Sequence, residues 1–272
     1  MHTFSIQGAR GSLMAGGPEF RRHGRNTTCM TLRTATGVVA IDAGTGLPAG
    51  LNGQPKAESP GGLKLSILFT HFHLDHVVGL PLLRALYAPS TSLRILGDPR
   101  RDWQAAIRGL ISKPYWPVDL ENAGAAIEWQ PAPQAGAVLE LHGVKITACP
   151  VWHPQGCLSY RLEADGRSYV IATDREVGSP EFDPACILFC RGADVLVHDA
   201  HYLPEEYPRF RGWGHSTFEG AAAVAREAGV SRLILTHHDA RRTDDEIDRL
   251  VERARKLFPN TEAAVEGTSF GI

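Results

Sequence analysis

Short apolar runs bounded by glycine, proline, asparagine or aspartate recur along the chain, and this pattern predicts β-strands. Two pairs of neighbouring runs are joined by short turns and predict hairpins, 29–33 with 38–42 and 160–163 with 168–172. The remaining strand candidates share the same apolar character: 3–7, 65–69, 93–96, 127–129, 138–141, 144–149, 195–197, 232–235 and 262–265.

Apolar residues at helical spacing predict four helices, at 77–88, 101–111, 216–228 and 243–257. The last two begin with a capping-box pattern, in which a hydroxyl and a glutamate three residues later satisfy free backbone amides. Ser216 and Glu219 form the first pattern, and Thr243 and Glu246 form the second. Gly229 is a suitable end for the third helix. The C-terminal third therefore alternates strands and helices, which is typical of a sheet covered by helices.

The composition is that of an ordinary globular chain of 272 residues, 43% of them hydrophobic. This length fits a single domain, 1–272, with a full core. Lysine plus arginine number 28 against 30 aspartate plus glutamate, a net charge of −2, which argues against broad coating of nucleic acid. No apolar run is long enough to cross a membrane, and the N-terminus does not resemble a signal peptide, so a cytoplasmic location is expected.

Five cysteines occur without a CxxC pair, and this odd number predicts reduced thiols. Cys186 and Cys190 lie four residues apart and can share a helical face. Buried structural thiols are favoured there over metal ligands, because unpaired cysteine behaves as a small apolar residue.

Three segments without periodicity are predicted to be loops. Residues 50–63 are read as an exposed loop, and the basic segment 16–25 as a solvated loop in preference to an anion site. The aromatic segment 113–117 either borders a pocket or anchors a loop. The last two segments contain the candidates for substrate contact: Arg21, Arg22, Arg25, Tyr115 and Trp116.

A dense group of metal-binding side chains follows the strand candidate 65–69: His71, His73, Asp75 and His76. Neutral imidazole binds Zn, Fe or Ni, and carboxylate oxygen is a harder ligand for the same ions. A single histidine here would favour an exposed strand end, but four such side chains within six residues favour a metal site. The first two can share one side of an extended chain, and the last two can point to a second position on the following turn.

An apolar strand followed by a metal-binding residue recurs at His153, Asp174 and His237. A two-metal hydrolase needs two cations about 3.5–4 Å apart, a bridging ligand and a shared water whose pKa is near neutral. The strand-end residues supply one ion with His71, His73 and His153, a second with Asp75, His76 and His237, and a bridge with Asp174. The predicted cofactors are two divalent metal ions, with Zn favoured and Mn or Fe compatible.

The segment from His71 to His76 resembles the HxHxDH motif of the metallo-β-lactamase superfamily, and the three later ligands occur in the family's order. The resemblance covers essentially the whole chain. It implies an α/β fold, a four-layer αββα sandwich with the metals at one sheet edge. Further similar segments are the early Gly-Ser turn, 25–29, 42–46 and 214–217. The last, Gly-His-Ser-Thr, is similar to the phosphodiesterase branch, which includes tRNase Z, PhnP-like cyclic phosphodiesterases and cyclic-nucleotide phosphodiesterases.

This resemblance implies that His215 is a catalytic histidine outside the metal set. It would stabilise charge on the phosphoryl oxygens or protonate the leaving alkoxide while a hydroxide between the metals attacks in line. Asp75 is assigned to the catalytic group as well as to the metal set, and Asp199 either orients His215 or is purely structural. His237 is favoured over His238 as the last ligand. Three histidines are expected to be hydrogen-bonded without binding metal: His198, His201 and His238.

The leading functional hypothesis is a phosphodiesterase that acts on small or cyclic phosphodiesters. The closest rival is a tRNA 3′-processing endonuclease without the protruding arm, since no insertion rich in Gly, Pro and Lys occurs between Asp174 and His215. A lactone or thioester hydrolase of the same fold would share the metal set, and the complete ligand set disfavours a non-catalytic binding module. A small phosphodiester is the favoured partner over nucleic acid, no membrane partner is expected, and a homodimer is a further hypothesis.

Overall fold

Two seven-stranded sheets face each other in the structure, a computed structural model that describes residues 2–52 and 62–271. The first sheet contains, in spatial order, β16 (Ser269–Gly271), β1 (Thr3–Gly8), β3 (Cys29–Arg33), β4 (Val38–Ile41), β5 (Lys64–Leu68), β6 (Ser92–Gly97) and β7 (Ala126–Pro131). The second contains β15 (Thr261–Ala263), β13 (Leu233–Thr236), β12 (Val195–Asp199), β11 (Arg167–Ala172), β10 (Cys157–Ala164), β9 (Val144–Val151) and β8 (Leu139–Leu141). A short parallel pair joins β2 (Arg10–Gly11) to β14 (His238–Asp239).

The α-helices cover the outer faces of the two sheets: α1 (Gly46–Leu51), α2 (Leu74–Val77), α3 (Trp103–Leu110), α4 (Asp183–Cys190), α5 (Phe218–Ala228) and α6 (Asp244–Arg255). One apolar core lies between the sheets and includes Phe4 and Tyr160. A second packs α4, α5 and α6 on one sheet, and a third packs α1 and α3 on the other. Burial of apolar surface in these three layers holds the four-layer sandwich together, and the predicted αββα fold is confirmed.

The predicted helix at 77–88 is wrong. The helix α2 ends at Val77, and two 3-10 turns follow it, Leu80–Leu82 and Arg84–Tyr87. Pro81 lies in the first of these turns, and proline has no backbone N–H to continue an α-helix. The apolar residues at helical spacing still pack against the first sheet, since Leu80 and Leu83 are fully buried.

The helix α1 lies in a segment for which the sequence pattern predicts no helix, and it runs into the predicted loop. Gly50 and Leu51 of the predicted loop 50–63 are therefore helical. Residues 53–61 of that loop lie outside the described residues.

Helix caps follow the sequence pattern at two of the three predicted ends. Thr243 and Glu246 form the predicted capping box, in which the Thr243 N–H donates to Glu246 Oε2 over 2.8 Å. Gly229 ends α5 in the left-handed conformation, with φ of 62°. At the start of α5, however, the cap is Thr217, one residue after the predicted Ser216.

Side chains of two predicted loops are held by contacts to other parts of the chain. Arg22 of the basic segment pairs with Asp248 on α6 over 2.9 Å, which leaves little support for an anion site there. Trp116 is a loop anchor whose indole N–H donates to the Tyr87 hydroxyl over 2.8 Å, whereas Tyr115 is exposed.

All five cysteines are buried and unpaired. Among the described residues, no helix has the length and apolar character that a membrane span requires.

Candidate metal centre

The predicted ligands lie at one edge of the two sheets because parallel strands end there together. Asp42 follows β4, Asp174 follows β11 and His237 follows β13. All three residues take a left-handed backbone, with φ of 62°, 51° and 56°. This conformation costs a residue with a Cβ about 1–2 kcal/mol, and it turns each side chain out of the strand direction. Strain of this kind at three neighbouring strand ends is typical of a functional site.

The first predicted metal position is surrounded by three imidazoles, those of His71, His73 and His153. His153 Nε2 lies 3.1 Å from His73 Nδ1, and the ring of His71 lies 4.7 Å from that of His153. The Nδ1–H of His153 donates to the Gly214 carbonyl over 2.8 Å, which fixes the tautomer and leaves Nε2 free to bind metal. Burial lowers the pKa of His153 to about 4, so this ring is neutral, as a ligand must be.

The second predicted position is formed by Asp75, His76 and His237. Asp75 Oδ2 lies 3.3 Å from His76 Nε2 and 3.2 Å from His237 Nε2. The backbone N–H of Ser12, in the early Gly-Ser turn, donates to the same carboxylate oxygen over 2.8 Å. This bond holds the Asp75 carboxylate toward the two imidazoles.

Asp174 lies between the two positions and contacts both. One carboxylate oxygen is 3.1 Å from His76 Nε2, and the other is 3.2 Å from His237 Nε2 and 3.8 Å from His71 Nε2. The side chain is buried, and its carboxylate has two oxygens that face different imidazoles. This is the geometry that a bridging ligand requires.

The unsatisfied atoms of the site fit a pair of cations. Among the described residues, His71 Nε2 and His76 Nε2 are buried and make no hydrogen bond, although Asp174 Oδ2 is only 3.1 Å from the latter. Burial by itself lowers the pKa of His237, but the Asp174 and Asp75 carboxylates outweigh it and raise the pKa to about 9. The same carboxylates raise the pKa of His76 well above its ordinary value against the effect of burial. The site therefore favours positive charge, and divalent ions would replace these protons.

Asp42 supports the site from behind the ligands. Its Oδ2 accepts hydrogen bonds from His76 Nδ1 and from the Thr70 hydroxyl, each over 2.8 Å, and its Oδ1 accepts the Thr70 N–H over 2.8 Å. The bond to Nδ1 sets the His76 tautomer so that Nε2 faces the metal position. This contact was not identified from the sequence, although Asp42 follows an apolar strand like the predicted ligands do.

Replacing Asp42 with asparagine is expected to weaken metal affinity by about 10–100-fold, because the negative charge is lost and one of the two oxygens that accept from His76 and Thr70 becomes an NH2 donor. Competition between the protein and a chelator for Zn measures this affinity. Asp98→Asn is the matched control, since Asp98 follows β6 of the same sheet but pairs with Arg100. An Asp42→Asn variant with the affinity of the control would refute the role of Asp42.

His215 and Asp199 form a pair beside the metal positions. His215 Nδ1 donates to Asp199 Oδ2 over 2.8 Å, while Asp199 Oδ1 accepts the N–H groups of His201 and Ser216 over 3.0 and 3.1 Å. Burial tends to raise the pKa of Asp199, but His215 holds it below its usual value, so the carboxylate is charged. The His215 ring lies 4.8 Å from that of His237. Both roles considered for Asp199, orienting an imidazole and holding a loop, are present in these contacts.

The loop that leads to His215 is held by a residue that the sequence analysis missed, Glu176. Its carboxylate accepts hydrogen bonds from the Tyr207 hydroxyl over 2.7 Å and from the N–H groups of Gly212 and Gly214 over 2.8 Å each. Gly214 has φ of 90°, and a Cβ there would lie 2.2 Å from His153 Nδ1. Only glycine therefore allows this loop to approach a predicted ligand so closely.

Of the three histidines that were not expected to bind metal, one lies at the site and two do not. His201 is hydrogen-bonded as expected, to the His237 carbonyl over 3.0 Å, but its ring also stacks 4.7 Å from that of His215. His198 donates to the Asp199 carbonyl and is not part of a metal-binding group among the described residues. His238 is in β14, where its ring lies 6.2 Å from that of His23. The expectation that His238 is hydrogen-bonded is wrong, because both ring nitrogens are buried and find no hydrogen-bond partner within the described residues.

Metal content should separate His237 from His238. His237→Ala is expected to lose at least one of two bound ions, because its Nε2 lies within 3.2 Å of both Asp75 and Asp174. His238→Ala is expected to keep both ions, since His238 belongs to none of the metal-binding groups found among the described residues. Elemental analysis of the two purified variants measures this difference. Greater metal loss from His238→Ala would reverse the assignment.

Comparison with known proteins identifies the family of this chain. A family model described as the Beta-lactamase superfamily domain matches residues 38–238, about three quarters of the chain. The chain belongs to the metallo-β-lactamase superfamily. The matched range contains all seven predicted metal ligands and His215, although the role of each remains a prediction.

Relatives and solved structures in the superfamily resemble nearly the whole chain. Ribonuclease BN of Escherichia coli (strain K12) is 27% identical, over 91% of this chain and 95% of its own length. A diphosphatase from the PhnP family has a similar structure, with a TM-score of 0.73 and 19% identity over 100% of this chain and 98% of its own. The short form of human tRNase Z has a TM-score of 0.70 and 18% identity, and the match covers 99% of each chain. The two structural matches show the superfamily fold.

Proposed function

We propose that this chain is a dinuclear metal-dependent phosphodiesterase. The observation that supports this best is the His215–Asp199 pair, which lies beside two groups of histidine and aspartate joined by Asp174. The coarser description, a metal-dependent hydrolase of the metallo-β-lactamase superfamily, follows from the family match and these groups. The pair is the feature that a lactone or thioester hydrolase would not need.

The proposed metal site consists of the two groups of three ligands described above and of Asp174 between them. His71, His73 and His153 would hold one ion, Asp75, His76 and His237 the other, and Asp174 both. Two bound ions would lower the pKa of a shared water and offset charge on the phosphoryl oxygens. Zn is the proposed metal, and Mn and Fe suit the same nitrogen and oxygen ligands.

The chain's own residues would orient the substrate and move a proton. His215 Nδ1 is engaged by Asp199, which leaves Nε2 for the substrate, either to stabilise a phosphoryl oxygen or to protonate the leaving alkoxide. Asp199 would keep the imidazole in this tautomer. Asp75 retains its proposed place in the catalytic group as a carboxylate that is held by Ser12 and faces two imidazoles.

RNA phosphodiesters are the proposed substrate class. Ribonuclease BN of Escherichia coli (strain K12), one of the relatives, is matched over 95% of its length, and this favours the endonuclease candidate over the small or cyclic phosphodiester preferred from the sequence alone. A small phosphodiester remains the second candidate because the net charge is −2 and no arm-like insertion separates Asp174 from His215. A phosphodiester partner of either size fits the site, and a homodimer remains a prediction for solution measurements.

Three substrates tested on one Zn- or Mn-loaded preparation would test the proposal. Bis(p-nitrophenyl) phosphate reports phosphodiesterase chemistry, precursor tRNA reports RNA cleavage, and a lactone panel tests the ester alternative. We expect hydrolysis of the first two, with loss of activity on treatment with a chelator, and steep salt dependence for RNA alone. Failure on every phosphodiester would refute the proposal, and activity on lactones only would support the rival hydrolase.

A further inference from the structure

A cavity of about 380 Å³ opens next to the His215–Asp199 pair. Tyr202 and Phe210 form one wall, with parallel rings 4.7 Å apart. The Tyr202 ring is 5.9 Å from the His215 ring, so the cavity lies within one nucleotide of the proposed catalytic histidine. It is a separate space from the metal positions, since none of the predicted ligands lines it.

Three arginines and three carboxylates line this cavity, and two of the arginines are paired. Arg241 pairs with Asp239 over 2.6 Å, and Arg242 pairs with Glu206 over 2.8 Å. Glu246, the third carboxylate, caps α6 by accepting the Thr243 N–H. Within residues 2–52 and 62–271, no acidic side chain forms an ion pair with Arg209, which is exposed and lines the cavity. Arg209 is therefore the guanidinium of this lining that is free to contact a bound anion.

Arg209 is held in place although its side chain is exposed. It lies between Tyr207 and Gly212, which both donate hydrogen bonds to the buried carboxylate of Glu176. The Arg209 N–H donates to the Glu206 carbonyl over 3.0 Å in a 3-10 turn, Tyr207–Arg209. A cation on an anchored backbone loses less freedom on binding than one on a free loop.

We propose that this cavity binds the phosphate that neighbours the scissile phosphate in an RNA strand, and that Arg209 is its cationic contact. Guanidinium matches the geometry of phosphate oxygens, and contacts to flanking phosphates set the register of a nucleic acid on a protein. The inference rests on the proposed phosphodiesterase function and extends it to a subsite. A small phosphodiester without a flanking phosphate would not use the subsite.

The test compares Arg209→Ala with Arg211→Ala, a matched control. Arg211 carries the same charge in the same loop, but it lies over the Tyr207 ring at 5.7 Å and does not line the cavity. We expect Arg209→Ala to weaken binding of a short single-stranded RNA by about tenfold or more, as for other charged hydrogen bonds. We also expect the slope of log affinity against log salt to fall by about 0.7, the value for one phosphate contact on a single strand.

Fluorescence anisotropy of labelled RNA on the metal-loaded His215→Ala protein measures binding without turnover. In the otherwise unchanged enzyme, the control Arg211→Ala should hydrolyse bis(p-nitrophenyl) phosphate at the normal rate, since Arg211 does not line the cavity. Equal RNA affinity in the two arginine variants, or absence of RNA binding by the parent protein, would overturn the subsite. Absence of bis(p-nitrophenyl) phosphate hydrolysis in the parent enzyme would instead refute the proposed function.

Discussion

Replacing His215 with alanine is expected to lower kcat for bis(p-nitrophenyl) phosphate by about 10²–10⁴-fold, the usual contribution of a general acid or base. KM and metal content should be almost unchanged. His215 is engaged by Asp199 over 2.8 Å and belongs to neither predicted ligand set, so its loss is expected to remove the proposed proton donor and to leave both ions bound. Steady-state kinetics and elemental analysis on one preparation measure the two quantities.

His142→Gln is a control for this variant. His142 is a histidine with a side-chain hydrogen bond, to Ser66 over 3.0 Å, and it lies in the turn between β8 and β9. Its replacement should leave kcat within about twofold of the parent value, as for most substitutions away from a site. A His215→Ala enzyme that keeps both ions and turns over within tenfold of the parent would show that His215 is not catalytic.

The second large effect is expected at Asp174. Asp174→Asn should reduce metal content from two ions per chain to one or fewer, with kcat falling in proportion or further. Loss of a supporting residue behind a ligand costs about 10–100-fold in metal affinity, and loss of the bridging charge should cost more. The three imidazole nitrogens within 3.8 Å of the carboxylate would then face a neutral amide.

The isosteric change separates charge from backbone conformation. Asp174 has φ of 51°, and asparagine tolerates the left-handed region as well as aspartate does, so the turn should survive. Asp165→Asn is the control, since Asp165 has φ of 47° at the tip of the β10–β11 hairpin, away from the site. Elemental analysis and chelator competition on both variants decide the question. Full occupancy of two ions in Asp174→Asn would refute a bridging role.

The strand-end pattern in the sequence predicts which side chains lie together at the candidate site. Residues such as Asp174 and His237 follow short apolar strands, and the ends of parallel strands meet at one edge by geometry alone. The local prediction at 77–88 was wrong because helical spacing of leucines also suits consecutive 3-10 turns around Pro81. Periodicity reports which face is buried, and it does not report how the backbone turns.

Supporting residues were less visible in the sequence. Glu176 is two residues from a predicted ligand and resembles any exposed glutamate, yet it holds the loop around Gly214 through contacts about 36–38 residues away along the chain. His201 was read as a hydrogen-bonded histidine, and only the stacked rings show that it also borders His215. Such contacts depend on which loops lie side by side, and no local pattern encodes this.

By itself, the sequence determined the family, the strand–helix alternation and the set of metal-binding residue types, because these depend on local composition and on motif order. The tertiary structure decided which side chains meet. It placed Asp174 between two imidazole groups, brought His237 and not His238 into those groups, and left Arg209 without an ion-pair partner among the described residues. The physical reason is that adjacent residues on an extended backbone point to opposite sides of a strand. His237 takes a left-handed backbone directly after β13, and this turn decides which of the two neighbouring histidines faces the predicted metal positions.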